Sequence, residues 1–293
     1  MLRSMMLIIN PHSGKGLSRT ALGSIVSSLC DADYSVTVYY TRDRTSEEIA
    51  YNYSKYHDLA VCVGGDGTLS GVISGILNAG TEIPVGFIPA GTANDIATTL
   101  TLSRDPSIAA HTIIKGSPKP LDIGRFNERY FTYVAAFGAF TGASYLTPQS
   151  AKRALGHFAY ILGGLASISA IKPQHTVIEY DGNIIEGEYI FGGVTNSTSV
   201  AGLVKLDPKR VALADGLFEI ILVKQPIDLA DFLEILSSLT VQNYDGDNVQ
   251  MLHASKVKFT FKKAIPWTVD GEDGGNHKKA EISNCHKAIE IMM

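Results

Sequence analysis

Apolar residues follow two different rhythms along this chain. Over roughly the first 120 residues, short apolar runs of strand length alternate with stretches whose apolar positions recur at helical spacing. "MLIIN", ending at Asn10, predicts a buried strand, and "LSRTALGSIVSSLCDA" predicts a helix after the loop "PHSGKG". "YSVTVYYT" alternates and is rich in β-branched and aromatic residues, as strands are. "TSEEIAYNYSKY" opens with a Thr/Ser cap and an acidic first turn, a helix start. "LAVCV" is a strand again, followed by a helix from Thr68 to Asn78; "VGFIPAG" is a fourth strand with its exit turn, and "TANDIATTLTL" a short helix. Strands alternating with helices imply a parallel sheet covered on both faces.

After "KPLDIGRFN" the rhythm changes to short alternating or aromatic strands: "RYFTYVAAFG", "HTVIEYDG", "IIEGEYIFGGVTN", "LFEIILVK", "VKFTFKK", "IPWTVDGE" and "KAIEIMM". Gly, Asp and Asn punctuate them, which argues for an antiparallel sandwich or barrel-like sheet. Two helical stretches interrupt it, near Lys152–Ala170 and at "IDLADFLEILSSL". An α/β domain followed by a mostly β domain makes the cleft between them the default ligand site.

Composition narrows the function classes. With 293 residues, 45% hydrophobic and 18% charged, the chain fits a soluble globular protein of two domains. A net charge of −4 gives no global positive field for nucleic acid. Cys30, Cys62 and Cys285 are odd in number and widely spaced, which points to a reducing, cytoplasmic setting and not to a metal site. The N-terminus has no small-residue cleavage site and reads as a first strand. The uncharged stretch Ala154–Ile171 is diluted by His157, glycines and serines, so it suits a helix against an apolar surface better than a membrane span. No polybasic segment marks a membrane anchor.

Chemistry concentrates at the strand ends of the first domain: Asn10–Gly16, Thr41, Gly64–Thr68 and Gly91–Asp95. In a parallel sheet such loops gather at the carboxyl edge, where ligands bind. Glycines let backbone N–H groups approach phosphate oxygens, and a helix N-terminus adds about half a positive charge. Neither a G-x-G-x-x-G nor a G-x-x-x-x-G-K-[ST] pattern is present, which disfavours a dinucleotide dehydrogenase. Asp66, in the middle of "GGDGT", would repel a polyphosphate unless a cation stood between them. Mg²⁺ binds through one or two carboxylates plus phosphate oxygens, so this acidic cradle predicts a metal–nucleotide complex, with Asp95 in the same neighbourhood. The plainer alternative is that both aspartates satisfy turn amides or cap helices. "VDGE" is likewise open between a hairpin turn and a catalytic carboxylate.

"NPHSGKG", "GGDGTL" and "GTANDIA", in this order and spacing, resemble the catalytic domain of diacylglycerol kinases, a family that includes sphingosine kinases and bacterial soluble lipid kinases and is related to NAD kinases. "KPLDIGRFNERYF", "AGLVKLDPKRVALADGLFEI" and "VDGEDGG" continue the bacterial lipid kinase pattern, so the resemblance covers nearly the whole chain. It implies a Rossmann-like α/β domain over residues 1–124 that binds ATP, and an antiparallel β-sandwich domain over 125–293 carrying the lipid site and a structural Mg²⁺, with the active site in the inter-domain cleft.

The implied activity is transfer of the ATP γ-phosphate to a lipid hydroxyl, diacylglycerol giving phosphatidic acid. Other acceptors (a long-chain base, another lipid alcohol, NAD) and a non-catalytic nucleotide-binding protein stay open. ATP would lie across Asn10, Pro11, His12, Ser13, Gly14, Thr41, Gly64, Gly65, Asp66, Gly67, Thr68, Leu69, Ser70, Thr92 and Asp95. "ALADGLF" matches the family's Mg²⁺ site, with the Asp215 side chain and the backbone carbonyls of Ala212 and Leu217 as ligands. Glu272 matches the position assigned as proton acceptor, with Asp270 orienting it or holding a metal, and Asp66 completing the catalytic set. Asp122 matches an acidic position in a charged network between the domains. Departures are fewer glycines around "SVAGLV" and an extra carboxylate, Asp273, beside Glu272. A lipid slot lined by Ala154–Ile171 and "FTYVAAFGAF" would go with transient, peripheral membrane contact of a cytoplasmic enzyme. The oligomeric state is open, a homodimer included.

Overall fold

The computed structural model describes residues 3–14, 19–138, 172–200 and 204–293. Lys15, Gly16, the helical stretch expected at 152–170, the slot-lining stretch 154–171 and the end of "FTYVAAFGAF" lie outside these residues. The chain forms two units, residues 1–123 with 286–293, and residues 124–285.

The first unit is α/β. Its strands are β1 (Arg3–Ile9), β2 (Tyr34–Tyr40), β3 (Leu59–Gly64), β4 (Val85–Pro89) and the start of β5 (Pro118–Phe126). Its helices are α1 (Arg19–Asp31), α2 (Ser46–Tyr53), α3 (Asp66–Ala79), α4 (Asp95–Thr99) and α5 (Pro106–Lys115). β4, β3, β1 and β2 lie side by side in that order, all parallel. The apolar runs of β1, β3 and β4 are buried on both faces, as parallel strands between helix layers must be. Met5, Leu7, Val61, Val63 and Ile88 pack with Ile25 and Leu29 of α1 and with Ala109 and Ile113 of α5. Strand order reverses at β1, which has β2 on one side and β3 on the other. Beyond the carboxyl end of such a strand the loops diverge and leave a crevice.

Helix starts follow the sequence signals. Thr45 and Glu48 form a reciprocal capping box on α2. α5 was not apparent from apolar spacing, yet it carries a start signal: Asp105 caps the amides of Ser107 and Ile108, and Pro106 takes the first helical position. α3 begins at Asp66, two residues before the expected Thr68, and ends at Gly80 in the left-handed region, φ +64°.

The second unit is mostly β: β6 (Arg129–Phe131), β7 (Val134–Gly138), β8 (Gln174–Tyr180), β9 (Asn183–Thr195), β10 (Ser199–Val200), β11 (Val204–Lys205), β12 (Phe218–Lys224), β13 (Val249–Ala254), β14 (Lys256–Val269) and β15 (Glu272–Met292), with helix α6 (Leu229–Val241). β7, β9, β8 and β14 pair antiparallel in a closed cycle, and β12 and β13 extend the sheet from β9. "VKFTFKK" and "IPWTVDGE" are one strand, β14, whose register with β15 shifts between Thr260 and Ile265. The core is aromatic: Trp267 lies 5.0 Å from both Phe126 and Phe137, ring centre to ring centre. The last residues of β15 return to the first unit, where Ile291 pairs parallel with Val85 and Met292 enters the core. No helix among the described residues is long and apolar enough to cross a membrane.

Candidate active site

In the first unit, four strand ends are tied together by short polar bonds. Asn10, following β1, donates its backbone N–H to Val63 O (2.9 Å) and its side-chain amide to Thr68 Oγ1 (3.0 Å). Its Oδ1 accepts from His12 N, closing the loop on itself. Ser13 Oγ accepts from Gly65 N at 3.3 Å, and Ala90 N donates to Gly64 O at 2.7 Å. Thr41 N, after β2, donates to Ile9 O at 3.0 Å. The loops of β3 and β4 approach backbone to backbone: a Cβ on Gly91 would lie 2.5 Å from Gly65 Cα. Asn94, in the left-handed region at φ +54°, folds its side chain over this turn, accepting from Gly91 N and donating to Gly91 O.

These contacts present the start of α3 to the crevice. No described side chain caps that helix at Gly65, and a helix N-terminus with its dipole suits an anion. Leu69 and Ser70 are buried in the same turn, Gly67 is exposed, and Thr92 is exposed on the β4 loop. Asp66 sits inside the cradle, 9% exposed, and accepts the N–H groups of Asp95 (3.1 Å) and Ile96 (3.2 Å). Asp95 is pushed up to about 6 by its burial and by the Asp66 charge, against a lowering pull from Arg104. Arg104 Nη2 also donates to Ala93 O at 2.8 Å, holding the "GTAND" turn. Asp122 is fully buried in this unit; its Oδ1 takes Lys287 N (2.6 Å) and faces His286 Nδ1 (3.0 Å).

In the second unit, "VDGE" is a tight hairpin. Val269 pairs with Glu272, and Asp270 (φ +49°) and Gly271 (φ +79°) fill the turn, the left-handed pair that suits the twist of two joined strands. Asp270, 5% exposed, spends its carboxylate on the amides of Thr132, Tyr133 and Val134 and on Thr132 Oγ1. Glu272 is exposed, and its Oε2 is 2.6 Å from Arg129 Nη2. Farther along, Asp215 Oδ1 accepts Leu217 N at 2.9 Å. The side-chain amides of Asn196 and Asn284 hold Leu213 O and Leu217 O, each at 3.3 Å. Glu219, two residues after Leu217, is 2% exposed and pushed up to about 8, mainly by burial and further by Asp215.

A model of the "Diacylglycerol kinase catalytic domain" matches residues 4–126, and a model of the "YegS C-terminal NAD kinase beta sandwich-like domain" matches residues 139–292. A diacylglycerol kinase of Bacillus subtilis (strain 168) is 32% identical over 98% of this chain and 95% of its own length. One from Staphylococcus aureus (strain JH9) is 34% identical over 97% and 90%. The chain belongs to the diacylglycerol kinase family. The crystal structure of a diacylglycerol kinase from Bacillus anthracis str. Sterne shares the fold, with a TM-score of 0.77 over 99% of this chain and 96% of that one at 20% identity.

As a lipid kinase of this family, the protein has more supporting residues than its motifs disclose. Asn94, Arg104, Arg129 and Thr132 are absent from the set named from sequence, yet each holds a candidate residue or its turn in place. Asn94 had a signal, since asparagine tolerates the left-handed region better than other side chains. Arg129 and Thr132 had none, because they meet the "DGE" turn from 143 and 138 residues away.

Proposed function

We propose that this kinase transfers the γ-phosphoryl group of ATP to the hydroxyl of diacylglycerol, forming phosphatidic acid. The observation that carries the reading is the uncapped start of α3, brought against the β4 loop by the Gly65–Gly91 approach. The close glycine backbone there suits phosphate oxygens. Asn10 to Gly14, Thr41, Gly64 to Ser70 and Thr92 form the nucleotide side of the reaction.

The donor set fits Mg²⁺ in two places. Asp66, with Asp95 beside it, offers carboxylate oxygen next to the phosphate cradle. Asp215 with the carbonyls of Ala212 and Leu217 offers an oxygen site in the second unit, two residues before Glu219, whose buried Oε2 lacks a hydrogen-bond partner among the described residues. Bound there, Mg²⁺ supplies charge neutralisation for the polyphosphate at the first place and structural support at the second.

The protein's own work is to position and to move a proton. The α3 amides hold the phosphates in line, Asp66 fixes the "GTAND" turn, and Glu272 takes the proton of the attacking hydroxyl. General-base action of this kind contributes about 10²–10⁴-fold. Asp270 serves as the brace that fixes the hairpin bearing Glu272, since four donors already occupy it. A lipid acceptor implies transient contact with a membrane surface by a cytoplasmic enzyme.

The reading is tested by following labelled γ-phosphate from ATP and Mg²⁺ into a panel in mixed micelles: diacylglycerol, monoacylglycerol, a long-chain base and phosphatidylglycerol, with NAD in solution. Labelled phosphatidic acid is expected. Label in a different acceptor replaces diacylglycerol and keeps the kinase; no labelled product with ATP bound overturns the reading.

A further inference from the structure

One buried carboxylate has no part in the chemistry assigned so far. Glu219 stands on β12 immediately after the loop 212–217. Its neighbours Phe218, Ile220 and Leu222 enter the core of the second unit, so strand alternation turns Glu219 to the opposite face. There it is 2% exposed, and its Oε2 has no hydrogen-bond partner among the described residues. An unsatisfied acceptor at that depth is costly, and a native fold keeps one where something else satisfies it. Asp215, a second carboxylate, adds to the burial that disfavours its charge, a penalty that a cation joining the two would relieve.

The loop above is built to keep oxygens in place. Asn196 and Asn284 pin Leu213 O and Leu217 O from two different segments, and Asp215 ties its Oδ1 to Leu217 N. We infer that Glu219 supplies a second charged oxygen to a divalent-cation site at the loop 212–217, alongside Asp215 and the carbonyls of Ala212 and Leu217. The inference rests on the reading of that loop as a cation site. Two carboxylates match the charge of a divalent ion, where Asp215 alone would leave it half neutralised. Among the described residues no group of three His, Cys, Asp or Glu side chains gathers anywhere, so the donors here are oxygens from two carboxylates and the backbone. That set selects hard cations, Mg²⁺ or Ca²⁺, over Zn²⁺.

The test uses the full chain without nucleotide, which removes the phosphate oxygens that a metal at Asp66 would share. Mn²⁺ serves as the probe, with the free ion counted by electron paramagnetic resonance, and Mg²⁺-dependent gain in Tm as the second readout. Glu219→Gln is expected to weaken Mn²⁺ binding about tenfold or more and to remove most of the Mg²⁺-dependent gain. Its metal-free Tm should equal or exceed that of the wild type, because a neutral amide replaces a buried carboxyl. Wild-type Mn²⁺ affinity in Glu219→Gln, with binding lost in Asp215→Asn, overturns the inference and leaves the loop as a cation site. Unchanged binding in both variants overturns the inference and the loop assignment together. Should Glu219→Gln fail to fold, Glu219→Asp withdraws the charge by one methylene: weakened binding supports the inference, and wild-type affinity contradicts it.

Discussion

The carboxylate of Asp66 accepts the backbone N–H groups of Asp95 and Ile96, so the aspartate of "GGDGT" is the cap of the helix in "GTAND". Two motifs 29 residues apart are joined by one side chain. The two sequence-based readings of Asp66, helix cap and carboxylate for a metal–nucleotide complex, are therefore compatible. A carboxylate has lone pairs enough for both.

Asp66→Asn separates the two roles. The amide keeps one acceptor oxygen and loses the charge, so stability is expected to fall by about 1 kcal/mol or less. Kinase activity should fall by roughly a hundredfold or more, as expected when a preorganised charge beside the phosphates is removed. Thermal unfolding and initial rates measured on the same sample check both. Activity near wild type would leave Asp66 as a cap alone.

Asp95 gives the first unit a pH dependence. In the fold it keeps its proton up to about pH 6, against an ordinary value of 3.8 in the unfolded chain. Between these values the folded state binds more protons, so stability falls as pH rises, and the loss is complete above the upper value. Asp95→Asn should therefore raise Tm by roughly a few degrees at pH 8, with the gain disappearing below pH 3.8. Melts of the nucleotide-free protein across this range decide it; a gain that is the same at every pH would contradict burial as the cause.

Asp270 is expected to act on stability. Replacing it with Ala leaves three amides and a hydroxyl without their acceptor, inside a turn that is 5% exposed at this position. The expected cost is about 3 kcal/mol or more, read from chemical denaturation. Loss of activity without loss of stability would show Asp270 acting in the chemistry instead.

Glu272 should behave in the opposite way. Its ion pair with Arg129 joins side chains that are 60% and 43% exposed, and such pairs contribute little. Glu272→Gln is expected to leave Tm within about a degree while lowering kcat by about 10²–10⁴-fold with little change in the KM for ATP. Arg129→Met, which frees the carboxylate, should cost much less than Glu272→Gln. A normal kcat in Glu272→Gln would return "DGE" to a plain hairpin.

Much of this architecture is legible locally. The strands "LAVCV" and "VGFIPAG" and the capped helix at Thr45 sit where their patterns place them, because parallel strands buried on both faces and a capping box depend on neighbouring residues alone. What fails is information that lies elsewhere in the chain. "KAIEIMM" alternates like any strand of the second unit, and it takes the pairing of Ile291 with Val85 and the burial of Met292 to show that it belongs to the first. α3 starts two residues before the expected Thr68, with no side-chain cap at Gly65 to mark the start, the same feature that suits the helix end to an anion. The glycine and aspartate motifs announce themselves by composition. Arg104 does not, since its contact is with a backbone carbonyl that any residue could present.

The most direct test of the nucleotide cradle is amide hydrogen exchange on the wild-type protein with and without ATP and Mg²⁺. The cradle assignment requires slowed exchange at the start of α3, from Gly65 to Leu69, and in the Gly91–Asp95 turn, with smaller changes at Asn10–Gly14. Protection confined to other segments, with these amides unchanged at saturating ATP, would contradict it.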